Sequence, residues 1–160
     1  MLSLKNISIS AGEKQLFTLD SLNLSQGLYA LVGRNGTGKS TFLRSLQAEH
    51  DLSEGTIQLD ERDIDSYSKS QLSQHISVVL TRSEVFGRHS VYDVLMLGRI
   101  PKQGLLAKPS KEDRAKVESI ISRLDLQELA QSIFQNLSDG EKQLVMIGRA
   151  LVQDTPVILL

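Results

Sequence analysis

The feature that most constrains this chain is the stretch GRNGTGKST at residues 33–41. It matches a pattern in which glycine, four residues of any type and a second glycine precede lysine and then serine or threonine. An apolar run of strand length, residues 28–32, comes before it, and apolar residues with helical spacing at 42, 43 and 46 come after it. Because this pattern binds phosphate when it joins a strand to a helix, the sequence predicts a phosphate-binding loop. The predicted helix continues to about His50.

The residue types explain how such a loop would hold a nucleoside triphosphate. Glycine lacks a Cβ and tolerates φ > 0, so the backbone can wrap closely and turn its N–H groups toward phosphate. The helix that begins near Lys39 adds unpaired N–H groups and the positive end of its dipole. We expect Lys39 to reach the outer phosphates of ATP and the Ser40 hydroxyl to bind Mg²⁺. The predicted ATP-binding residues are Gly33, Arg34, Asn35, Gly36, Thr37, Gly38, Lys39, Ser40 and Thr41.

Composition narrows the class of protein further. The chain has 160 residues, which is enough for one domain with its own core, and a net charge of −1. This balance predicts no nucleic-acid partner, because nucleic-acid binding needs a basic surface. The absence of cysteine excludes disulfides and cysteine-ligated metal, and is compatible with a reducing cytosol. No apolar run approaches the ~18 residues of a membrane helix, so we expect no membrane span.

A second motif, Leu-Ser-Asp-Gly-Glu at residues 137–141, lies about a hundred residues downstream of the loop. It has the form of a capped helix start, because Ser138 can accept from the N–H of Glu141 while Glu141 reaches back to the N–H of Ser138. Alone, such a motif is only a cap. Together with the phosphate loop, it resembles the signature motif of the ATP-binding subunit of ABC transporters. In that family this helix start faces the γ-phosphate held by the other subunit, and a helix N-terminus is a good anion site.

The resemblance covers essentially the whole chain, since residues 137–160 read as the signature helix followed by the strand that carries the Walker B acid. It implies an α/β fold: a P-loop NTPase core of the ABC type with an antiparallel β subdomain and an inserted helical subdomain, its C-terminal part missing. The resemblance implies a single domain over residues 1–160. Its β subdomain would comprise residues 1–28 and 53–66, and its helical subdomain residues 84–140. The core would comprise residues 29–52, 67–83 and 141–160.

The stretch HSVYDVLMLGRIP at residues 89–101 resembles the branch that takes up ferric siderophores, haem and cobalamin. The resemblance therefore implies a subunit that binds and hydrolyses ATP with Mg²⁺ to power an importer of an iron–siderophore or related metal chelate. Its partners would be integral-membrane permease subunits and a second copy of itself, in an ATP-dependent head-to-tail dimer at the cytoplasmic face of the inner or plasma membrane. The residues implied to face the other copy's ATP are Ser138, Asp139, Gly140 and Glu141.

Three positions depart from the family pattern in ways that alter the expected site. Thr81 stands where a glutamine usually contacts Mg²⁺ and the attacking water, so its shorter side chain would need a bridging water. Ala11 stands where an aromatic residue usually stacks on adenine; Phe17 is a substitute candidate, although a core role is favoured. Asp139 replaces the more frequent glycine of the signature motif. Its charge is unfavourable near phosphate unless it points away or pairs with a base.

A fourth departure concerns hydrolysis. In the family, an aspartate that positions Mg²⁺ and a catalytic glutamate directly follow an apolar strand like residues 157–160, and neither is present here. We expect the 160 residues to bind nucleotide weakly and to hydrolyse almost none. We interpret the chain as a truncated gene product and assign the function to the intact protein. No catalytic residue is therefore named within it.

Two alternative functions remain open at this stage. One is a soluble ABC-type ATPase of assembly or repair that has no membrane partner. The other is a non-hydrolysing nucleotide-binding fragment that acts by association. Residues 84–104 would distinguish the first alternative, because members of the family that work with a membrane permease bind the permease through this segment. The sequence that follows Leu160 in the gene discriminates the second.

Overall fold

The computed structural model describes residues 1–79, 87–104 and 107–160. Within these residues the chain divides into two compact units, Met1–Leu72 and Ser73–Leu160, and each is described by itself. The three-part division implied by the family resemblance stays a prediction. Thr81 lies outside the described residues. No helix in the described part of the chain combines the length and the apolar character needed to cross a bilayer.

The first unit is built on a four-stranded antiparallel sheet with the order β2-β1-β3-β4. The strands are β1 (Leu2–Ala11), β2 (Lys14–Leu24), β3 (Glu54–Leu59) and β4 (Arg62–Asp63). The register of β1 with β3 shifts between Lys5 and Ser8, which marks a β-bulge. The shift explains why buried residues change from even to odd positions, because one extra residue turns the following side chains to the other face. These buried residues are Leu2, Leu4, Ile7 and Ile9.

Two expectations beside the phosphate loop are wrong. Residues 28–32 do not form a strand; Leu28 is 96% and Val32 89% exposed. A strand needs a hydrogen-bonded neighbour, and no ladder reaches this segment from the described residues. The helix after the loop, α1 (Lys39–Ser45), ends earlier than predicted. Turns follow it, and Ala48 adopts a left-handed conformation (φ 51°) that an α-helix excludes.

The second unit has a short parallel sheet and a helical cluster. The sheet pairs β5 (Ile76–Val78) with β6 (Val157–Leu159) in parallel. The helices are α3 (Val91–Met96), α4 (Ile100–Gln103), α5 (Lys111–Arg123) and α6 (Asp139–Gln153), while the first unit holds α1 and α2 (Lys69–Leu72). Helix α6 packs against α3 and α5, and Gly148 permits the close approach because a Cβ there would lie 2.8 Å from Leu95 Cδ2.

Gly98 lies within continuous helical structure and does not end it. A 3-10 turn, Leu97–Arg99, joins α3 to α4, so helical structure continues to Gln103. Gly98 is required for packing and not for termination, because a Cβ at this position would lie 2.5 Å from the carbonyl oxygen of Arg149. Pro101 is tolerated because it lies in the first turn of α4, where its missing N–H has no helical partner to lose.

A buried ion pair joins α5 to the segment before α4. Arg99 donates from Nε to Oδ1 of Asp113 at 2.8 Å and from Nη1 to the carbonyl oxygen of Val152 at 2.9 Å. Both side chains of the pair are almost fully buried, with exposures of 6% and 5%. Oδ2 of Asp113 also accepts from the backbone N–H of Ser110 at 2.8 Å, which caps α5. Burial raises the pKa of Asp113, but the bonds from Ser110 and Arg99 outweigh it and hold the pKa well below 3.8.

The close approach of β3 to β1 at Gly55 gives a prediction about the first unit. A Cβ there would lie 2.3 Å from the carbonyl oxygen of Asn6, whereas at Gly12, which also has a positive φ, a Cβ would meet nothing within 4 Å. Gly12→Ala should cost about 1 kcal/mol for its left-handed backbone, and Gly55→Ala at least about 2 kcal/mol more, because β1 and β3 must separate. Urea denaturation measures both. Equal losses of unfolding free energy would contradict the close approach.

The buried pair gives a second prediction. Asp113→Ala should lower the free energy of unfolding by about 3 kcal/mol, because it leaves the Arg99 guanidinium buried without a carboxylate. Lys116→Met is the matched control on the same helix; it removes an exposed ion pair with Asp154 and should cost about 0.5 kcal/mol. Chemical denaturation between pH 7 and pH 3 measures both.

The pH dependence has a defined sign. The pKa of Asp113 is lowered in the folded protein. Its contribution to the free energy of unfolding is therefore complete above pH 3.8 and is lost as the pH falls below that value. The difference between wild type and Asp113→Ala should therefore be constant near neutrality and shrink in acid. A difference that grows as the pH falls would contradict this assignment.

Candidate nucleotide-binding site

The predicted phosphate loop connects β2 to α1 and has the backbone that its glycines predict. Gly36 and Gly38 have φ values of 82° and 93°, in the left-handed region that other residues avoid. Gly38 is the residue before α1, its carbonyl oxygen accepts from the N–H of Phe42 at 2.8 Å, and no side chain caps the helix. The first N–H groups of α1 therefore remain available to an anion.

Lys39 folds back over the loop. Its ammonium group donates to the carbonyl oxygens of Gly33 at 2.7 Å and Arg34 at 2.9 Å. The Thr37 hydroxyl donates to the same Arg34 oxygen at 2.8 Å. These bonds close the loop around its own lysine, so the ammonium can turn to a bound phosphate without rebuilding the backbone.

The remaining loop residues present their side chains to solvent. Arg34, Asn35 and Ser40 are exposed, and Thr41 is half-buried. The described residues contain no group of three or more His, Asp or Glu that could hold a metal ion. A single hydroxyl such as that of Ser40 suits Mg²⁺ in this setting, because Mg²⁺ keeps several waters and takes its other ligands from nucleotide phosphates. The residues present therefore fit a magnesium nucleotide and not a metal held by protein alone.

The loop rests on the start of β2, a contact that no pattern in the sequence predicts. A Cβ on Gly38 would lie 3.0 Å from Leu16 Cβ and 3.4 Å from Phe17 Cδ1. The Phe17 ring packs edge to face against Phe42 of α1, with ring centroids 5.6 Å apart and an interplanar angle of 65°. This arrangement agrees with a packing role for Phe17. It leaves glycine as the only residue type that fits between β2 and α1 at this φ.

The signature motif forms the start of α6, as its sequence predicts. Glu141 donates its N–H to Ser138 Oγ at 3.4 Å, and its carboxylate accepts from the N–H and hydroxyl of Ser138 at 2.8 and 2.6 Å. These bonds to the Ser138 hydroxyl and N–H hold the pKa of Glu141 below its ordinary value. A Cβ on Gly140 would meet nothing within 4 Å, so the first turn of α6 is open to an approaching group. Asp139 is exposed beside it.

A glycine loop that closes on the lysine of the following helix defines a P-loop nucleotide-binding protein. The model of the ABC transporter family matches residues 18–160, so this chain belongs to that family.

Individual relatives agree with this assignment. The hemin import ATP-binding protein HmuV of Shewanella denitrificans is 32% identical over 96% of this chain and 59% of its own length. The petrobactin import ATP-binding protein FpuD of Bacillus anthracis is 30% identical over 99% of this chain and 59% of its own length. The chain thus spans about three fifths of these relatives.

The solved structures confirm the α/β fold of the ABC type. One is the ADP conformation of an ATP-binding cassette of an ABC transporter, with 25% identity and a TM-score of 0.83. It aligns over 99% of this chain and 66% of its own length.

The capping box gives a prediction about the signature helix. In Ser138→Ala, the Glu141 carboxylate loses the hydroxyl that holds its pKa down, so its pKa should rise toward the ordinary range while α6 remains folded. Carbon-detected NMR titration of the Glu141 side chain measures this, with Ser122→Ala on α5 as the control that should not change it. An unchanged Glu141 pKa in Ser138→Ala would show that the box does not persist in solution.

Proposed function

We propose that this chain is the nucleotide-binding part of an ATP-hydrolysing subunit that powers an ABC importer of an iron–siderophore or related metal chelate. The observation that carries the proposal is the phosphate loop, whose lysine already lies against the carbonyl oxygens of Gly33 and Arg34. The class of cargo is supported by the two relatives described above, one of them a hemin import protein and the other a petrobactin import protein.

The loop binds ATP through its backbone and one ammonium group. Phosphate oxygens compete with the Gly33 and Arg34 carbonyl oxygens for the Lys39 ammonium group. The phosphate bonds are stronger because a triphosphate carries full negative charges, whereas a carbonyl oxygen carries only a partial charge. The free N–H groups at the start of α1 bind the same phosphates. The Ser40 hydroxyl would hold Mg²⁺, which would neutralise part of the charge on the phosphates. The site residues from Gly33 to Thr41 thereby act as one anion-binding unit.

The signature motif acts on the ATP of a second copy of the chain. A helix N-terminus with an open first turn and a serine hydroxyl favours a phosphate that lies along the helix axis. In a head-to-tail dimer, each copy presents its Ser138 region to the phosphate loop of the other. ATP then lies between the copies, and its hydrolysis releases them. That cycle is the motion that would drive a pair of integral-membrane permease subunits.

Hydrolysis in this family requires an aspartate and a glutamate in addition to the phosphate loop. The aspartate and glutamate that position Mg²⁺ and the attacking water in this family follow the strand that corresponds to β6. We therefore assign turnover to the intact protein, at the cytoplasmic face of the membrane that holds its permease.

Substitution of Lys39 tests the proposal. Lys39→Ala should weaken binding of Mg-ATP by about 10- to 100-fold, because charge-assisted bonds to phosphate are lost, and should abolish turnover and transport in the intact protein with its permease. Titration calorimetry, phosphate release and uptake assays measure the three effects. Lys69→Ala, an exposed lysine of the same unit, is the matched control.

The outcomes separate the alternatives. Turnover that persists in Lys39→Ala shows that the site is assigned wrongly. Mg-ATP binding without turnover in the wild-type intact protein supports a non-hydrolysing nucleotide-binding protein. Turnover without co-purification of any membrane permease supports a soluble ATPase of the same family.

A further inference from the structure

Two oppositely charged side chains, one in each nucleotide-binding motif, have no partner among the described residues. Arg34 is exposed in the phosphate loop, where its carbonyl oxygen accepts from Lys39 and Thr37 but its guanidinium bonds to no described residue. Asp139 is exposed in the first turn of α6, and its carboxylate likewise bonds to no described residue. The other charges of the two motifs are used, since Lys39 binds the loop carbonyls and Glu141 binds Ser138.

The free carboxylate of Asp139 works against the role proposed for the signature helix. A phosphate that approaches the start of α6 meets two carboxylates in the first turn. The charge of Glu141 is offset by its bonds to the Ser138 N–H and hydroxyl, whereas the charge of Asp139 is not. A cation that arrives together with the phosphate would remove this repulsion, because opposite charges in contact offset each other's field.

Arg34 is such a cation. Arg34 follows Gly33 directly and lies in the loop that would hold the phosphates. A surface of a second copy that contacts the bound phosphates would therefore also come close to Arg34. Its planar guanidinium can bind a carboxylate through two parallel bonds, which a lysine cannot do. Arg34 and Asp139 are thus complementary in charge and in geometry.

We propose that Arg34 of one copy pairs with Asp139 of a second copy, so that the partner of the nucleotide site is a second copy of this chain that contributes a carboxylate to it. The pairing rests on the proposed head-to-tail dimer. In a two-fold symmetric dimer the contact occurs twice, since residue i meets j and j meets i. Substituting one residue therefore removes both pairs at once.

The neutral variant Asp139→Asn distinguishes pairing from simple repulsion by the sign of its effect. If Asp139 only repels phosphate, Asp139→Asn strengthens the ATP-dependent dimer. If Asp139 binds Arg34 of the other copy, the same variant weakens the dimer, and raising the salt concentration reduces the difference from wild type because exposed pairs are screened. Sedimentation velocity with Mg-ATP measures the dimer dissociation constant.

Charge exchange is the decisive test in the intact protein. At Mg-ATP concentrations that calorimetry shows to saturate each variant, Arg34→Asp and Asp139→Arg should each weaken the Mg-ATP-dependent dimer by about 5- to 30-fold, the effect of two exposed pairs. The double variant should restore the dissociation constant to within about threefold of wild type. The matched control exchanges Arg114 and Glu118 on α5, two exposed residues whose exchange keeps the net charge and should change nothing.

The outcomes distinguish this pairing from the function on which it rests. Failure of the wild-type protein to bind Mg-ATP in calorimetry overturns both. Binding without dimer formation overturns the head-to-tail arrangement and the pairing, but leaves the phosphate loop. A dimer that Asp139→Asn strengthens, or that the double variant does not restore, overturns the pairing alone.

Discussion

The candidate site depends on the closure of the phosphate loop around the Lys39 ammonium group. The carbonyl oxygens of Gly33 and Arg34 point at this group, and the left-handed glycines at 36 and 38 turn the next N–H groups outward. The loop is therefore shaped before any ligand arrives, so little conformational entropy is lost on binding. The contact of Gly38 with Leu16 fixes the loop to β2, and the site inherits the rigidity of the antiparallel sheet.

Local chemistry allowed part of this structure to be predicted from sequence. The motif at 33–41 and the capping box at Ser138 each depend on residues within a few positions of one another, so their geometry follows from residue type. The alternating apolar residues of β1 and the apolar runs of β5 and β6 were predictable for the same reason, although the pairing of β5 with β6 is not local. The family signature then indicated the α/β fold, which no local pattern specifies.

The errors share a physical origin, because each depended on contacts distant in sequence. Residues 28–32 have the composition of a strand but no ladder partner in the described chain, and their apolar side chains stay exposed. Gly98 looks like a helix end, yet it is a packing position against the backbone of Arg149. The burial of Arg99 with Asp113 was equally hidden, since two charged residues fourteen positions apart carry no local sign that they meet.

The signature helix shows why a capped helix start can also respond to phosphate. The Ser138 hydroxyl has one proton, and it donates that proton to the Glu141 carboxylate at 2.6 Å. If this hydroxyl donates instead to a phosphate oxygen at the start of α6, the Glu141 carboxylate keeps only its bond from the Ser138 N–H. Phosphate binding and the orientation of Glu141 are therefore coupled through a single hydrogen. In the proposed head-to-tail dimer, a change in the nucleotide held by one copy would in this way be transmitted to the first turn of α6 in the other.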